Sequence, residues 1–361
     1  MEKIFTLFII PILLFISCSE IDKETPSTLF GLPHVAIEMR ESDFVNLQRN
    51  SLVNEYAAVT VEIGGVKKHG QIRRRGNSSR YFQKPSFNID TDEGRRHYAA
   101  VNFDKSYCRE IFASLIFQKH GFHVQKMEFV SLSINNVYQG LYISREPLDE
   151  HFFKRRNIEI NSLYGIRNGE FTFKDGRNSA MGFQKIIPES SIDYNDLNIL
   201  ISALDENNHA KIEQLLHINS AANYSFISSA INNSDGITKN LHIYSSKKDN
   251  KFHIIPYDLD LTFGQTLEDS FALPHNIPAF RNGLLEKAEE LFLQNSAIHD
   301  RNIHIKYVFE DVSLLNTLDS LKQEISLAYK NDPYLKGENL DRHITEIKEY
   351  ISAIVVKLLL N

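Results

Sequence analysis

The stretch that most constrains the fold runs from Ala230 to Gly264, because it carries two groups of acidic and amide side chains separated by a strand pair. Leu241 and Ile243 alternate with polar residues, as do Phe252 and Ile254, and a polar tetrapeptide joins the two segments. This alternation predicts two half-buried strands connected by a short turn. Because a hairpin brings its two ends together, the acids before the first strand are expected beside those after the second.

The side chains at that end of the hairpin have the composition of a divalent-cation site. Asp235 and Asn240 precede the first strand, and Asp258 and Asp260 follow the second. Mg²⁺ prefers such oxygen ligands. The layout also matches the core of a protein kinase, in which a catalytic Asp precedes a metal-binding Asn as D-x-x-x-x-N and another metal-binding Asp follows a hairpin. An ordinary polar turn at 232–236 is the alternative interpretation.

The segment from 34 to 89 alternates like a series of strands, with a predicted helix over 41–52 and a Gly-Gly turn. Near its end, three arginines precede Gly76, Asn77 and Ser78, and Lys84 follows. On a strand, Arg73 and Arg75 point to one face and Arg74 to the other. Guanidinium forks, hydroxyls and backbone amides together suit phosphate oxygens, although a solvated basic hairpin is the alternative.

A kinase holds the nucleotide phosphates with a Lys that has a Glu partner, and Lys84 follows on the next predicted strand. A helix is predicted over 107–120, and strands over 130–134 and 138–143 lead into Glu146. Glu146 and Glu110 are both candidates for the partner, and the sequence does not choose between them. Further helices are predicted over 194–216, 221–231, 284–294, 314–329 and 340–360, whereas 151–192 shows no clear pattern.

The N-terminus has the pattern of a secreted, lipid-anchored protein. Residues 1–17 combine Lys3 with the apolar run from Ile4 to Ile16, which is too short to span a bilayer comfortably. Cys18 follows a small residue there and resembles the lipobox of a bacterial lipoprotein. The resemblance implies cleavage before Cys18, lipid attachment to its sulfur, a tether over 18–33 and a location in the cell envelope. Cys108 then lacks an intrachain disulfide partner and is predicted to be buried.

Composition sets the remaining bounds. The chain has 361 residues, of which 42% are hydrophobic and 24% charged, as in a soluble globular protein large enough for two lobes. Its formal net charge of -6 provides no global basic field, which argues against nucleic acid as a partner.

Several separated pieces, taken in order, resemble the CotH family, the spore coat protein H-like atypical kinases. The pieces are RRRGNSS with Lys84, the helix that carries Arg109, NVYQGLY through Glu146, the pair Asp235 and Asn240, and IPYDLDLTFG over 255–264. The resemblance covers roughly residues 34–357. Two positions depart from the family pattern, since Tyr257 stands in place of a Trp and Glu110 where Asn is common.

The resemblance implies an α+β, divergent protein-kinase-like fold with two lobes. The N-lobe, about 34–150, is expected to be an antiparallel sheet, and the C-lobe, about 151–361, to be mainly helical. Asp235 is then the catalytic position, and Asn240 with Asp258 or Asp260 holds Mg²⁺. Arg73, Arg75, Asn77, Ser78, Lys84 and Glu146 form the ATP site.

The leading hypothesis is a lipid-anchored phosphotransferase that moves the γ-phosphate of ATP to Ser or Thr of an envelope protein. A second hypothesis keeps the fold as an inactive surface-binding or coat-assembly module, and a third replaces the protein acceptor by a sugar or small molecule. Retention of four oxygen ligands around one point favours transfer chemistry.

Overall fold

The computed structural model describes residues 28–49, 55–76, 80, 82–166, 182–189, 191–268, 270–279, 283–311 and 313–360. The predicted signal peptide, the predicted lipidation site at Cys18, and Asn77 and Ser78 of the predicted ATP site lie outside these residues. Their predictions therefore stand on the sequence alone.

The described residues form a mixed α+β structure. The strands are β1 (Thr28–Leu29), β2 (Leu32–Glu38), β3 (Ala57–Ile63), β4 (Val66–Arg75), β5 (Ser86–Thr91), β6 (Gly94–Ala99), β7 (Met127–Ile134), β8 (Val137–Arg145), β9 (Ile160–Ile166), β10 (Phe183–Ile187), β11 (His242–Ser246) and β12 (Phe252–Ile255). The helices are α1 (Glu41–Arg49), α2 (Arg109–Lys119), α3 (Glu150–Arg155), α4 (Asn195–Asp205), α5 (His209–Leu215), α6 (Ile218–Ile231), α7 (Asp235–Thr238), α8 (Leu284–Asn295), α9 (Arg301–Tyr307), α10 (Ser313–Asn331) and α11 (Leu340–Leu360).

The first eight strands form one sheet that closes on itself. Neighbouring strands pair in the order β1-β2-β3-β4-β5-β6-β8-β7, and β7 also pairs with β2. The closing pair is parallel, with Val35 opposite Leu132, and the other pairs are antiparallel. Strands β2 to β8 therefore make a barrel, in which no strand of the ring leaves an unpaired edge.

The inside of the barrel is an apolar core. Inward-facing residues such as Val61, Ile72, Phe87 and Leu132 are almost completely buried there, and Leu47 of α1 packs against them. Because side chains alternate along a strand, every second residue of each strand points outwards. The outer face of β4, β5, β6 and β8 is thus free to carry polar groups.

The C-terminal half packs helices and a second sheet against the outside of the barrel. This sheet has the order β10-β9-β11-β12, and the main hydrophobic core joins it to α2, α6, α8, α10 and α11. The free Cys108, next to α2, is buried in that core, as predicted. Within the described ranges, no helix combines the length and the apolar character needed to cross a bilayer.

The predicted α+β class, with its sheet-rich N-terminal and mainly helical C-terminal lobe, is confirmed. The boundary near residue 150 stays a prediction, and it falls after β8, the last barrel strand in the chain. The helix predicted over 194–216 is in fact two helices, because the chain turns at Asn207, whose φ is 52°, and Asn208 caps the second. Strands β9 and β10 in the region without clear pattern were missed.

A buried ion pair ties the barrel to the end of α10. Lys84 donates to Asp332 at 2.6 Å, to the carbonyl of Leu141 at 2.6 Å and to the hydroxyl of Tyr107 at 2.5 Å. The Lys84 side chain is 3% exposed and that of Asp332 is fully buried. Gly140 makes room for this arrangement, because a Cβ at this residue would collide with the Asp332 carboxylate.

We expect Gly140→Ala to destabilise the protein by about 2–4 kcal/mol, since it adds the collision to the strain of a φ of 112°. Gly64→Ala is the matched control, because Gly64 also has positive φ but open space around it. The control should cost only about 1 kcal/mol. Urea unfolding measures both, and equal costs for the two variants would contradict the packing role of Gly140.

Candidate active site

A cleft of about 890 Å³ lies between the outer face of the barrel and the base of the β11–β12 hairpin. A cavity of this size lies within the range of small-molecule and cofactor sites. Its polar lining comes from both sides: Arg73, Arg75, Arg80, Ser86, Asn88, Arg95, His97 and Arg145 of the barrel side, and Asp235, Lys239, Asn240, Asp258 and Asp260 of the opposite side.

The barrel wall of the cleft is a row of polar residues across four adjacent strands. Arg73 pairs with Asn88, Asn88 with His97, and His97 with Arg145. Arg73 and Arg75 therefore share the cleft face while Arg74 does not, as the strand periodicity predicted. Burial lowers the pKa of His97, and the arginines around it, Arg75 first, lower it further, which keeps the imidazole neutral.

The opposite wall brings the two predicted acid groups together. The β11–β12 register places His242 opposite Ile255, so Asn240 and Asp258 lie at the same end of the hairpin. The Asn240 amide nitrogen is 3.3 Å from Oδ2 of Asp235 and 3.3 Å from Oδ2 of Asp258. One side chain thus bridges both acids, and the spatial prediction made from the hairpin is confirmed.

A hydrogen-bonded loop fixes the position of Asp235. The amide N–H of Gly236 donates to Oδ1 of Asn233 at 3.1 Å, and the hydroxyl of Tyr224 on α6 donates to the Gly236 carbonyl at 2.8 Å. On the other side of the hairpin, the N–H of Phe263 donates to the Ile231 carbonyl at 2.7 Å. Both acid groups are therefore braced on the same helix, α6.

Arg145, at the end of β8, connects the barrel wall to the acids. Its NH1 is 3.0 Å from Oδ1 of Asp258, and its NH2 forms an ion pair with Glu110 of α2. Burial raises the pKa of the Glu110 carboxyl to about 7, although Arg145 opposes the shift. The sequence left Glu110 and Glu146 open as partners of a phosphate-binding cation, and the structure brings Glu110 into this corner.

The acids in this corner fit a divalent cation. Removal from bulk water and then repulsion from Asp258 and Glu110 hold the pKa of Asp260 well above its usual range. In addition, Oε1 of Glu110 is buried without a hydrogen-bond partner among the described residues. A Mg²⁺ ion held by Asn240, Asp258 and Asp260 would relieve this repulsion, because its positive charge offsets the negative charges of the carboxylates.

The structure corrects the prediction that Lys84 faces the nucleotide. Its ammonium is enclosed by Asp332 and the rings of Tyr107, Tyr142 and Tyr334 and is absent from the cleft lining. Burial lowers the Lys84 pKa to about 8 in spite of Asp332. The Lys84 side chain points inwards because it pairs there with the buried carboxylate of Asp332. The sequence does not show this pairing.

The prediction for Glu146 is corrected in the same way. Its carboxylate accepts hydrogen bonds from Arg156 at 2.7 Å and from the backbone N–H of Lys126 at 2.9 Å, and it also pairs with Arg155. Glu146 does not line the cleft. Adjacent residues at a strand end point to opposite sides, so Arg145 and Glu146 cannot both enter the site.

Sequence reasoning missed Asn88, His97 and Arg145 as cleft residues. The spacing of Leu141, Ile143 and Arg145 could have identified Arg145, because every second residue of a strand points to the same face. Leu141 and Ile143 are buried on the outer side of the barrel, against the C-terminal lobe. No comparable signal marks His97, because its role depends on the pairing of β6 with β5 and β8.

A second group of possible metal ligands, His217, Asp249 and His253, lies outside the cleft. The two imidazole rings stack with 4.5 Å between centroids and 29° between planes. In addition, Nδ1 of His217 already accepts from the Ser220 N–H.

The chain is similar to a known family, a known protein and a solved structure. The family model described as CotH kinase protein matches residues 72–353. The chain is 21% identical over 351 residues to the inner spore coat protein H of Bacillus subtilis (strain 168), covering 89% of this chain and 95% of that protein. The solved structure of CtkA, a proinflammatory kinase of Helicobacter pylori, aligns with 76% of this chain and 94% of its own at 11% identity and a TM-score of 0.36.

The described residues form a sheet-rich lobe and a mainly helical lobe, and the acid-lined cleft lies between the barrel and the β11–β12 hairpin. Because the family model spans most of the chain, this protein belongs to the CotH kinase family. The resemblance carried by RGNSS, NVYQGLY and PYDLDLTFG is thereby confirmed.

We expect Asp260→Asn to stabilise the metal-free protein while removing its response to Mg²⁺. A carboxyl whose folded-state pKa is raised costs stability as pH rises above its ordinary range of about 4, and an amide does not. At pH 7 the variant should therefore melt at a higher temperature than the metal-free wild type. Thermal unfolding with EDTA or with Mg²⁺ measures both effects.

Asp205→Asn, at an exposed residue at the end of α4, is the matched control and should change neither quantity. Undiminished stabilisation of Asp260→Asn by Mg²⁺ would exclude Asp260 as a metal ligand.

Proposed function

We propose that this chain is a Mg²⁺-dependent phosphotransferase that moves the γ-phosphate of ATP to Ser or Thr of a protein in the cell envelope. Family membership supports the kinase-like chemistry. The observation that carries the proposal is the Asn240 amide bridging Asp235 and Asp258, directly across the cleft from the arginine row.

Asp235 is suited to be the proton acceptor. Its side chain is 19% exposed, so an acceptor hydroxyl can reach it, and Oδ1 lies 3.4 Å from the Lys239 ammonium. As the Ser or Thr oxygen bonds to the γ-phosphorus, its proton passes to Asp235. The bond from the γ-phosphorus to the β–γ bridging oxygen breaks, and ADP leaves with that electron pair.

The remaining groups bind and orient the phosphates. Asn240, Asp258 and Asp260 would hold Mg²⁺, which supplies neutralisation of the phosphate charge when bound. Arg73 and Arg75 lie on the opposite wall, and Arg75 NH2 is 3.4 Å from the hydroxyl of Tyr257, beside Asp258. Fixed cations on this wall would offset the negative charge that spreads over the transferring phosphoryl group.

A second candidate is a binding module in an envelope or coat assembly without transfer. It is favoured by the name of the Bacillus relative, an inner spore coat protein. The two candidates differ in one measurable property, the transfer of phosphate.

We expect Asp235→Asn to lower Mg²⁺-dependent transfer from γ-labelled ATP to a Ser/Thr substrate by about 10²–10⁴-fold, the usual contribution of a general base. Asp258→Ala should lose both transfer and Mg²⁺ dependence. Asp205→Asn, exposed and away from the cleft, is the control and should keep wild-type activity.

Transfer that survives both cleft changes would remove the proposed site. An inactive wild-type protein, tested with protein and sugar acceptors, would favour the binding module.

The proposed location rests on the N-terminal sequence. We expect Cys18→Ser to abolish incorporation of labelled fatty acid and to release the protein from the membrane fraction, because the lipid is predicted to attach to the Cys18 sulfur. Cys108→Ser is the matched control, since Cys108 is buried in the folded domain. Membrane retention of Cys18→Ser without label would indicate another means of attachment.

A further inference from the structure

Arg145 is a cation in direct contact with Asp258, one of the candidate metal ligands. Its guanidinium is shared between Asp258 of the hairpin loop and Glu110 of α2, and 5% of the side chain is exposed. Nε has no hydrogen-bond partner among the described residues. The residue nevertheless lines the cleft, at one end of the row that begins with Arg73.

Glu110 is held on a helix end that is itself fixed. The neighbouring Arg109 is fully buried, and its NH1 is 2.7 Å from Oδ1 of Asp104 while its backbone N–H donates to Oδ2 of the same residue at 2.9 Å. Glu346 of α11 lies 3.6 Å from the other side of that guanidinium. The first turn of α2 is thus anchored from two directions, so Glu110 holds Arg145 at a set position.

The two contacts of Arg145 differ in accessibility. Glu110 is 1% exposed, whereas the side chain of Asp258 is 37% exposed and faces the cleft. Asp258 also has Asn240 beside it, as expected of a metal ligand. When a metal–phosphate complex binds, the metal ion can replace Arg145 as the partner of Asp258, and a phosphate can replace Asp258 as the partner of Arg145. Glu110 stays paired with Arg145.

We infer that Arg145 binds a phosphate of the nucleotide beside the metal and that Glu110 is its positioning residue, in the roles that the sequence had predicted for Lys84 and Glu146. Arginine suits this role because its planar fork can contact a carboxylate and a phosphate at once. The inference rests on the proposed function and adds two residues to it.

The test is binding of ATP and of inorganic triphosphate, each with Mg²⁺, measured by calorimetry on the full folded domain. Arg145→Met should weaken both ligands at least tenfold, and Arg145→Lys should restore part of the affinity. Glu110→Gln should weaken both about threefold, and the double variant Glu110→Gln, Arg145→Met should be no weaker than Arg145→Met alone. Arg342→Lys, exposed on α11, is the control and should bind as wild type does.

Wild-type affinity in a folded Arg145→Met variant would overturn the inference, and so would additive losses in the double variant. If Arg145→Met does not fold, Arg145→Lys and Glu110→Gln decide, since unchanged binding in both contradicts the assignment. If wild type transfers phosphate while these variants bind normally, only the inference fails. If wild type binds neither ligand, the proposed function fails with it.

Discussion

The site depends on one amide that contacts two acids. Asn240 can bridge Asp235 and Asp258 only because β11 and β12 pair with His242 opposite Ile255. A slip of one residue in this register would turn every side chain of the strand to the other face and separate the acids. The apolar residues of both strands prevent the slip, because their inward faces are buried in the C-terminal core.

The closed barrel supplies the other wall. Closure through the parallel β2–β7 pair gives each barrel strand two neighbours, so the polar row of Arg73, Asn88, His97 and Arg145 is carried by a braced surface. The same strands bury an apolar core on the inner face. Because side chains alternate along a strand, one face of each strand packs into the apolar core and the other face carries polar groups. Four polar side chains therefore lie next to one another in the cleft.

Pairing of buried charges explains why the predictions for Lys84 and Glu146 failed. A buried cation without a partner costs several kcal/mol, so a carboxylate within reach favours one direction for the side chain. Lys84 meets Asp332 and Arg145 meets Glu110, although the partners are distant in sequence. Pattern reasoning placed Lys84 and Glu146 in the nucleotide site by analogy with kinases, and it could not see that other partners were available to them.

The sequence by itself determined the hairpin, the grouping of Asp235, Asn240, Asp258 and Asp260 at its end, the face shared by Arg73 and Arg75, and the family. These are local properties, because strand alternation and short-range spacing decide them. Only the tertiary structure decided that the barrel closes and that Arg145, paired with the buried Glu110, lines the cleft while Lys84 and Glu146 lie outside it. Those outcomes depend on long-range strand pairing and on which buried carboxylate lies within reach of each cation, and no local pattern encodes either.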